Sequence, residues 1–297
     1  MRFLAAAKIN LLLRVGSVHS NGYHPISSWF VTVGLFDTLI CKPADDGQIT
    51  LTCDDPSVPT DDRNLVVRAA KLLRQENAPA ARTAAAQRGA TLHLQKQIPA
   101  GGGLGGGSSD AARTIIALNH LWKLELSFER MCEIAGMLGS DVPFFMHGRS
   151  CICTGRGEVV TPVASPLPKW ALLVLPEIAI STATVYEVFD RPGRGKNQDL
   201  DQQPDWQEWS QLSSGALLPR LVNDLEDAAF EMSEPLRRLR VETEQSLGRI
   251  VRMSGSGSTL FTLFDEESEA LQAKEKLSVR SVVVPMAPTI LDDLAIV

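Results

Sequence analysis

The sequence predicts a chain of mixed strands and helices divided into two domains. Three observations carry this expectation. Strand-like and helix-like periodicities are interleaved along the whole chain. Its 297 residues exceed the roughly 100 to 200 that one domain usually needs. A proline-bearing stretch at 161–168 reads as an interdomain connection, which places the boundary near residue 160 and the domains at 1–160 and 161–297.

The elements follow in order. Residues 8–15 alternate, with Ile9, Leu11, Leu13 and Val15 on one face and Lys8, Asn10, Leu12 and Arg14 on the other, which is the period of a strand. A turn at Ser20-Asn21-Gly22 leads to strands at 27–35 and 48–53, then to an acidic loop at 54–62. Helical spacing of Leu65, Ala69, Leu72 and Leu73 predicts a helix over 64–76, with Asp61 and Asp62 favouring its N-terminal dipole. A strand at 90–98 precedes a glycine run, a helix at 108–123, and a second helix at 127–138 with Ser127 as its N-cap.

The second half carries a strand at 170–175, a helix from about 182, and a polar stretch at 190–205, with Pro192, Gly193 and Gly195, expected to be a mobile loop. Helices at 221–232 and 235–247 precede a strand near Ile250, the turn Ser254-Gly255-Ser256-Gly257-Ser258, a strand at 259–264, a helix at 266–276 and a strand at 279–284.

With 44% hydrophobic and 22% charged residues, the composition is that of a folded chain and excludes disorder. A net charge of −6 argues against a general electrostatic hold on nucleic acid or anionic lipid. An anionic ligand must then be held by local geometry. Cys41, Cys53, Cys132, Cys151 and Cys153 are odd in number and lack the C-x-x-C spacing of zinc sites, so reduced thiols in a cytoplasmic protein are expected. Lys8 and Asn10 interrupt the first apolar run too early for a signal peptide, and no run reaches the roughly 18 apolar residues of a membrane helix.

The strongest chemical signal is Pro99-Ala100-Gly101-Gly102-Gly103-Leu104-Gly105-Gly106-Gly107-Ser108-Ser109, set between a strand and a helix. Glycines let backbone amides approach a ligand, and a helix start adds unsatisfied N–H groups and a positive dipole end, which together suit a phosphate. The Ser108 and Ser109 hydroxyls could bond phosphate oxygens or a magnesium-bound water. A plain linker is the bland alternative, although linkers are rarely bracketed so tightly by periodic elements. A Walker loop would need a lysine before the serine, and a dinucleotide fingerprint drawn through Gly101, Gly103 and Gly106 is a weak match separated from its strand by Pro99.

Lys8 and Asn10 share a strand face, which aims a cation and an amide together; taken alone, an exposed strand face accounts for them better. Asp141, amid Ser140, Val142, Pro143 and Phe144, is either a functional carboxylate or a helix cap with Pro143 in the first turn. The Ser254–Ser258 segment is by itself a tight turn.

Together, Ala7-Lys8-Ile9-Asn10-Leu11, the glycine loop and the late Ser-Gly-Ser-Gly turn resemble the three motifs of the GHMP kinases in order and separation, over residues 6–260. Asn21-Gly22-Tyr23-His24, Asn64-Leu65-Val66-Val67-Arg68-Ala69-Ala70, Asp141-Val142-Pro143-Phe144 and Asn223-Asp224-Leu225-Glu226 narrow the resemblance to a member that acts on a cytidine diphosphate alcohol.

The resemblance implies two α+β domains with the active site in the cleft between them, and ATP in the N-terminal domain with its phosphates on the loop and magnesium alongside. It implies an adenine pocket at Asn64, Leu65 and Lys96, a base at Asp141, and a cation at Lys8. Asn10 becomes a substrate contact, Tyr23 and Tyr186 the aromatic pair around a cytosine, and His24 its hydrogen-bonding partner. The expected partner is a small cytidine diphosphate substrate, with no nucleic acid or membrane, for a cytoplasmic monomer or weak homodimer. Ala6 stands where the family commonly has proline and Tyr186 where phenylalanine is familiar; neither removes a needed chemical group. The 190–205 stretch has no counterpart in the family pattern.

Overall fold

Two long antiparallel strands, β1 (Arg2–Val15) and β2 (Ile26–Ala44), organise the chain. In the computed structural model, which describes residues 1–20, 22–76, 88–191, 195, 197, 200 and 203–290, β2 carries β1 along one edge. Its other edge is shared between β4 (Gly89–Gln95) towards its C-terminal end and β5 (Ser150–Gly155) towards its N-terminal end. β3 (Ile49–Cys53) joins β4 in parallel and β6 (Val159–Pro162) joins β5, which completes a six-stranded sheet. Asn21, Pro192 and Gly193 lie outside the described residues.

Helices α1 (Leu65–Gln75), α2 (Gly106–Leu121) and α3 (Phe128–Leu138) cover one face of this sheet, burying Val66, Ala69, Ile115, Leu118 and Ile134 with Phe3, Leu39 and Leu92. Ser127 caps α3 as expected, its hydroxyl accepting from the Arg130 N–H. The start of α1 differs from expectation. Asn64 is its cap, accepting from the Val66 N–H at 2.9 Å, while the exposed Asp61 and Asp62 carboxylates are engaged by Arg63 and Lys71. A short α4 (Val142–His147) follows α3 and has Pro143 in its first turn.

A second, antiparallel sheet runs in the order β10-β7-β9-β8, built from β7 (Trp170–Val174), β8 (Arg252–Met253), β9 (Leu260–Phe264) and β10 (Ser281–Pro285). Around it lie α5 (Thr182–Phe189), α6 (Trp206–Ser210), α7 (Ser214–Leu217), α8 (Glu226–Met232), α9 (Glu234–Leu247) and α10 (Glu267–Glu275). The helix expected over 221–232 starts late. The Asn223 side chain accepts from the Leu225 N–H, and the backbone before it pairs with β1 through Leu13 N–H to the Val222 carbonyl.

One apolar cluster passes through both sheets, joining Ile9, Leu12, Trp29 and Val31 to Leu173, Phe261, Leu263 and Val284. It buries the Ile9 side of β1, while the opposite side, where alternation puts Lys8 and Asn10 on a polar face with Leu12 and Arg14, is closed at Lys8 and Asn10 by Phe30, the glycine loop and the Ser254 turn. The alternation also breaks. Asn10 pairs with Phe30 and Leu12 with Trp29, which leaves Leu11 as an extra residue in a β-bulge and shifts the phase beyond it. Leu13 then joins Lys8 and Asn10 in lining one cavity, in place of Leu12.

Candidate active site

The glycine loop is pinned from three sides. The Leu104 carbonyl accepts from the Lys8 N–H at 2.9 Å, the Gly102 carbonyl from the Thr259 N–H at 3.2 Å, and the Gly103 carbonyl from the Ser254 hydroxyl at 3.0 Å. Gly103 has φ +74°, and a Cβ there would stand 2.2 Å from the Ser254 carbonyl oxygen. No side chain larger than hydrogen fits so close a backbone. The late turn is therefore the wall against which the loop is moulded. Asn223 fixes that wall by donating to the carbonyls of Met253 and Gly255.

Gly105, also left-handed at φ +71°, opens α2, and no side chain caps the helix start. The first N–H groups of α2 are left for a ligand, with the helix dipole behind them. They face a cavity of about 390 Å³ whose wall includes Asn64, Leu65, Lys96 and the continuous run from Pro99 through Ser108. Ser109 does not line it: at 1% exposure it is buried within the helix.

Lys96 borders this cavity and is held by two acids that sequence reasoning missed. Its ammonium lies 2.5 Å from Asp37 and 2.7 Å from Asp110. Burial opposes the Lys96 charge, but Asp110 and Asp37 outweigh it and raise its pKa. The other Asp37 oxygen accepts from the N–H groups of Gln97 and Ile98, which fixes the chain leading into the loop. The three charges come from β2, from α2 and from the end of β4, so only the folded sheet brings them together.

A second cavity, of about 200 Å³, shares Gly103 and Gly105 with the first and holds Lys8, Asn10 and Asp141. The Lys8 ammonium is 4% exposed at residue level and donates to Asn10 Oδ1 at 2.7 Å; it lies 3.5 Å from the Asp141 carboxylate and over the Phe30 ring. Asn10 is oriented in turn by donating to the Ser28 hydroxyl. Asp141 precedes α4 but makes no side-chain cap bond, so its carboxylate faces the cavity paired with Lys8. The arrangement offers a proton acceptor beside a fixed cation.

The third cavity, of about 550 Å³, continues outward from the second through Tyr186 and holds Tyr23 and His24. The His24 and Tyr186 rings are 5.0 Å apart and tilted by 36°. Burial, with Asp141 and Asp190 adding to it, pushes the Tyr186 hydroxyl up to about 12, so it stays protonated. Tyr23 is 53% exposed at the rim. His24 already has partners for both ring nitrogens, Nδ1 with the Gly16 carbonyl at 2.8 Å and Nε2 with Asp190 at 3.1 Å.

The described part of the 190–205 stretch is tied to the end of β1. Ser17 N–H donates to Asn197 and the Ser17 hydroxyl to the Gly195 carbonyl. All five cysteines are free, and among the described residues no helix is long and apolar enough to cross a membrane.

A glycine loop at an uncapped helix start, a buried lysine beside a half-buried aspartate, and an aromatic pocket lie in series across two sheets, an arrangement that suits a small-molecule kinase site of a particular architecture. The chain matches the GHMP kinases N terminal domain over residues 64–149 and the GHMP kinases C terminal domain over 199–280. It belongs to the GHMP kinase family. It is 37% identical over 271 residues to the 4-diphosphocytidyl-2-C-methyl-D-erythritol kinase of Exiguobacterium sibiricum, covering 90% of each chain. The protein of the same name from Mannheimia succiniciproducens is also 37% identical, over 90% of this chain and 81% of its own.

A crystal structure of 4-(cytidine 5'-diphospho)-2C-methyl-D-erythritol kinase superposes with a TM-score of 0.75 at 32% identity, covering 97% of this chain and all of that one. Homoserine kinase from Cytophaga hutchinsonii superposes with a TM-score of 0.73 at 15% identity, over 98% of this chain and 97% of its own, and shares the fold.

Proposed function

We propose that this kinase transfers the γ-phosphate of ATP to the 2-hydroxyl of 4-diphosphocytidyl-2-C-methyl-D-erythritol, giving the 2-phosphate and ADP, a step of the non-mevalonate route to isoprenoid precursors. One observation carries the reading: three cavities adjoin in the order such a reaction needs, nucleotide, reacting centre and base, and share Gly103, Gly105 and Tyr186 at their junctions. The 37% identity to relatives of that name over 90% of the chain supports the same substrate.

Phosphoryl transfer asks a protein for positioning and charge stabilisation. The amides at the start of α2 hold the β- and γ-phosphates. Asp141 accepts the proton of the attacking hydroxyl, and Lys8, held by Asn10 beside the Asp141 carboxylate, offsets charge developing on the γ-phosphate. Tyr23 and Tyr186 hold the cytosine, a remote anchor whose binding energy fixes the reacting hydroxyl.

Magnesium would accompany the nucleotide: the Ser108 hydroxyl on the cavity wall would suit an ion that takes most of its ligands from water and phosphate, and such an ion would supply neutralisation of phosphate charge. The reading also places an ATP-binding domain at 1–160 and a second domain at 161–297.

Incubation with ATP, magnesium and a panel of small alcohols, following ADP release and product mass, tests the assignment. Turnover is expected with the cytidine diphosphate alcohol, and preferential turnover of homoserine or mevalonate would reject it.

A further inference from the structure

The mechanism above gives no role to Arg156, a cation at the junction of the second and third cavities. Arg156 sits in the turn between β5 and β6, flanked by Gly155 and Gly157, both with positive φ. Its backbone N–H donates to the Glu158 carboxylate at 2.6 Å, its Nε lies 3.5 Å from the same carboxylate, and its guanidinium stands 5.0 Å from the centre of the Tyr23 ring. Arg156 lines both the reacting centre with Lys8 and Asp141 and the outer pocket with Tyr23 and His24. Among the described residues that line the outer pocket it is the one lysine or arginine, while Glu187 and Asp190 make that wall acidic.

A ligand with its base in the outer pocket and its hydroxyl at Asp141 must carry its linker across the junction where Arg156 stands. If that linker is a diphosphate, it brings two or more negative charges past Asp141, Asp190 and Glu187, an arrangement that like-charge repulsion disfavours unless a cation intervenes. Lys8 is already committed to Asn10 and Asp141. A guanidinium presents a planar fork of donors suited to phosphate oxygens.

We propose that Arg156 binds the diphosphate linker of the substrate and so selects nucleoside diphosphate conjugates over the bare nucleoside. The proposal rests on the cytidine diphosphate reading. It gives Arg156 a specificity role that Tyr23, His24 and Tyr186, which address the base, do not fill.

Calorimetric titration of CDP and of cytidine, each in the presence of a saturating nonhydrolysable ATP analogue, tests it on the wild type, Arg156→Gln and Arg156→Lys. Arg156→Gln is expected to weaken CDP roughly 10- to 100-fold, as for loss of a charge-assisted phosphate contact, with cytidine unchanged and Arg156→Lys intermediate. In steady-state kinetics the substrate KM rises by a similar factor while kcat and the KM for ATP hold. Equal losses for CDP and cytidine would show that Arg156 only supports the Tyr23 ring, and unchanged CDP affinity would show no contact; either result overturns the proposal alone. A wild-type protein that binds neither CDP nor cytidine and turns over no cytidine diphosphate alcohol overturns the functional reading and this proposal with it.

Discussion

Lys8 Nζ lies 3.5 Å from the Asp141 carboxylate, although one residue is in the first strand and the other stands just before α4. Asn10 holds the ammonium from one side and the Phe30 ring lies beneath it. Because Asp141 makes no helix-cap bond, its loss is not a loss of helix stability. Asp141→Asn should lower kcat by roughly 10² to 10⁴, as expected when a general base is removed, and leave ATP affinity little changed. A variant that retains near-normal turnover would reject the role. A cap residue would instead cost about 0.5 to 2 kcal/mol of stability, with activity kept in the folded fraction.

The glycine loop proposed to hold the phosphates gives a second expectation. A Cβ on Gly105 would stand 2.9 Å from the Phe145 ring and 3.1 Å from Lys8 Cγ, at a φ of +71° that a β-branched residue adopts only with strain. Gly105→Val should therefore weaken binding of a nonhydrolysable ATP analogue and lower kcat as well, since Lys8 is crowded along with Phe145. Calorimetry measures the first effect and single-turnover kinetics the second. Unchanged nucleotide affinity would mean that phosphates do not sit on this loop.

The parts of the site legible in the sequence are those whose physics is local. Glycines at 103 and 105 advertise positive φ, a period of two puts Lys8 and Asn10 on one face, and Pro143 marks a helix start beside Asp141. What stayed hidden depends on partners distant in the chain. Asp37 and Asp110 meet Lys96 only because the 19-residue β2 reaches past β4, and periodicity had placed only 27–35 of it in a strand. The bulge at Leu11 is set by the register with β2, which no property of residues 8–15 encodes. Burial of the Lys8 face likewise follows from groups distant in the chain, Phe30, the glycine loop and the Ser254 turn, closing over it.

The Asp37–Lys96–Asp110 cluster makes stability depend on pH. Burial is the largest influence on Asp110 and pushes its carboxyl up to about 7, with Lys96 opposing and Asp37 reinforcing, against an ordinary value of 3.8. The folded state then binds this proton more tightly than the unfolded chain. The stability it contributes is fully present below about pH 3.8 and is lost as pH rises through about 7. Asp110→Asn removes the titration. The melting temperature of the wild type relative to Asp110→Asn should accordingly fall between about pH 5 and about pH 8. Scanning calorimetry in matched buffers reads this, and a difference that stays constant across the range would show that Asp110 is ionised throughout.

The choice of alcohol rests on the outer pocket. Tyr186 is largely buried against His24 and Phe189, whereas Tyr23 is mostly exposed at the rim, so the pocket has one fixed aromatic wall and one accessible ring. If the two rings enclose a cytosine, Tyr186→Ala should cost about 1 to 3 kcal/mol of substrate interaction, the scale of base stacking on aromatics, and spare ATP. His24 has Nε2 against Asp190 and Nδ1 against the Gly16 carbonyl. A base edge that bonds to His24 must therefore compete with Asp190, and Asp190→Ala should leave cytosine recognition intact or improve it. His24→Ala should reduce discrimination between cytosine and uracil substrates, because a buried polar partner is what separates bases that differ in one exchangeable group. Packing roles alone would lower the melting temperature of each variant and affect all substrates alike. Steady-state kinetics of folded Tyr186→Ala on paired cytidine and uridine substrates separates the two cases, and an unchanged KM for the cytidine substrate would remove the cytosine assignment while leaving the chemistry proposed for Lys8 and Asp141 untouched.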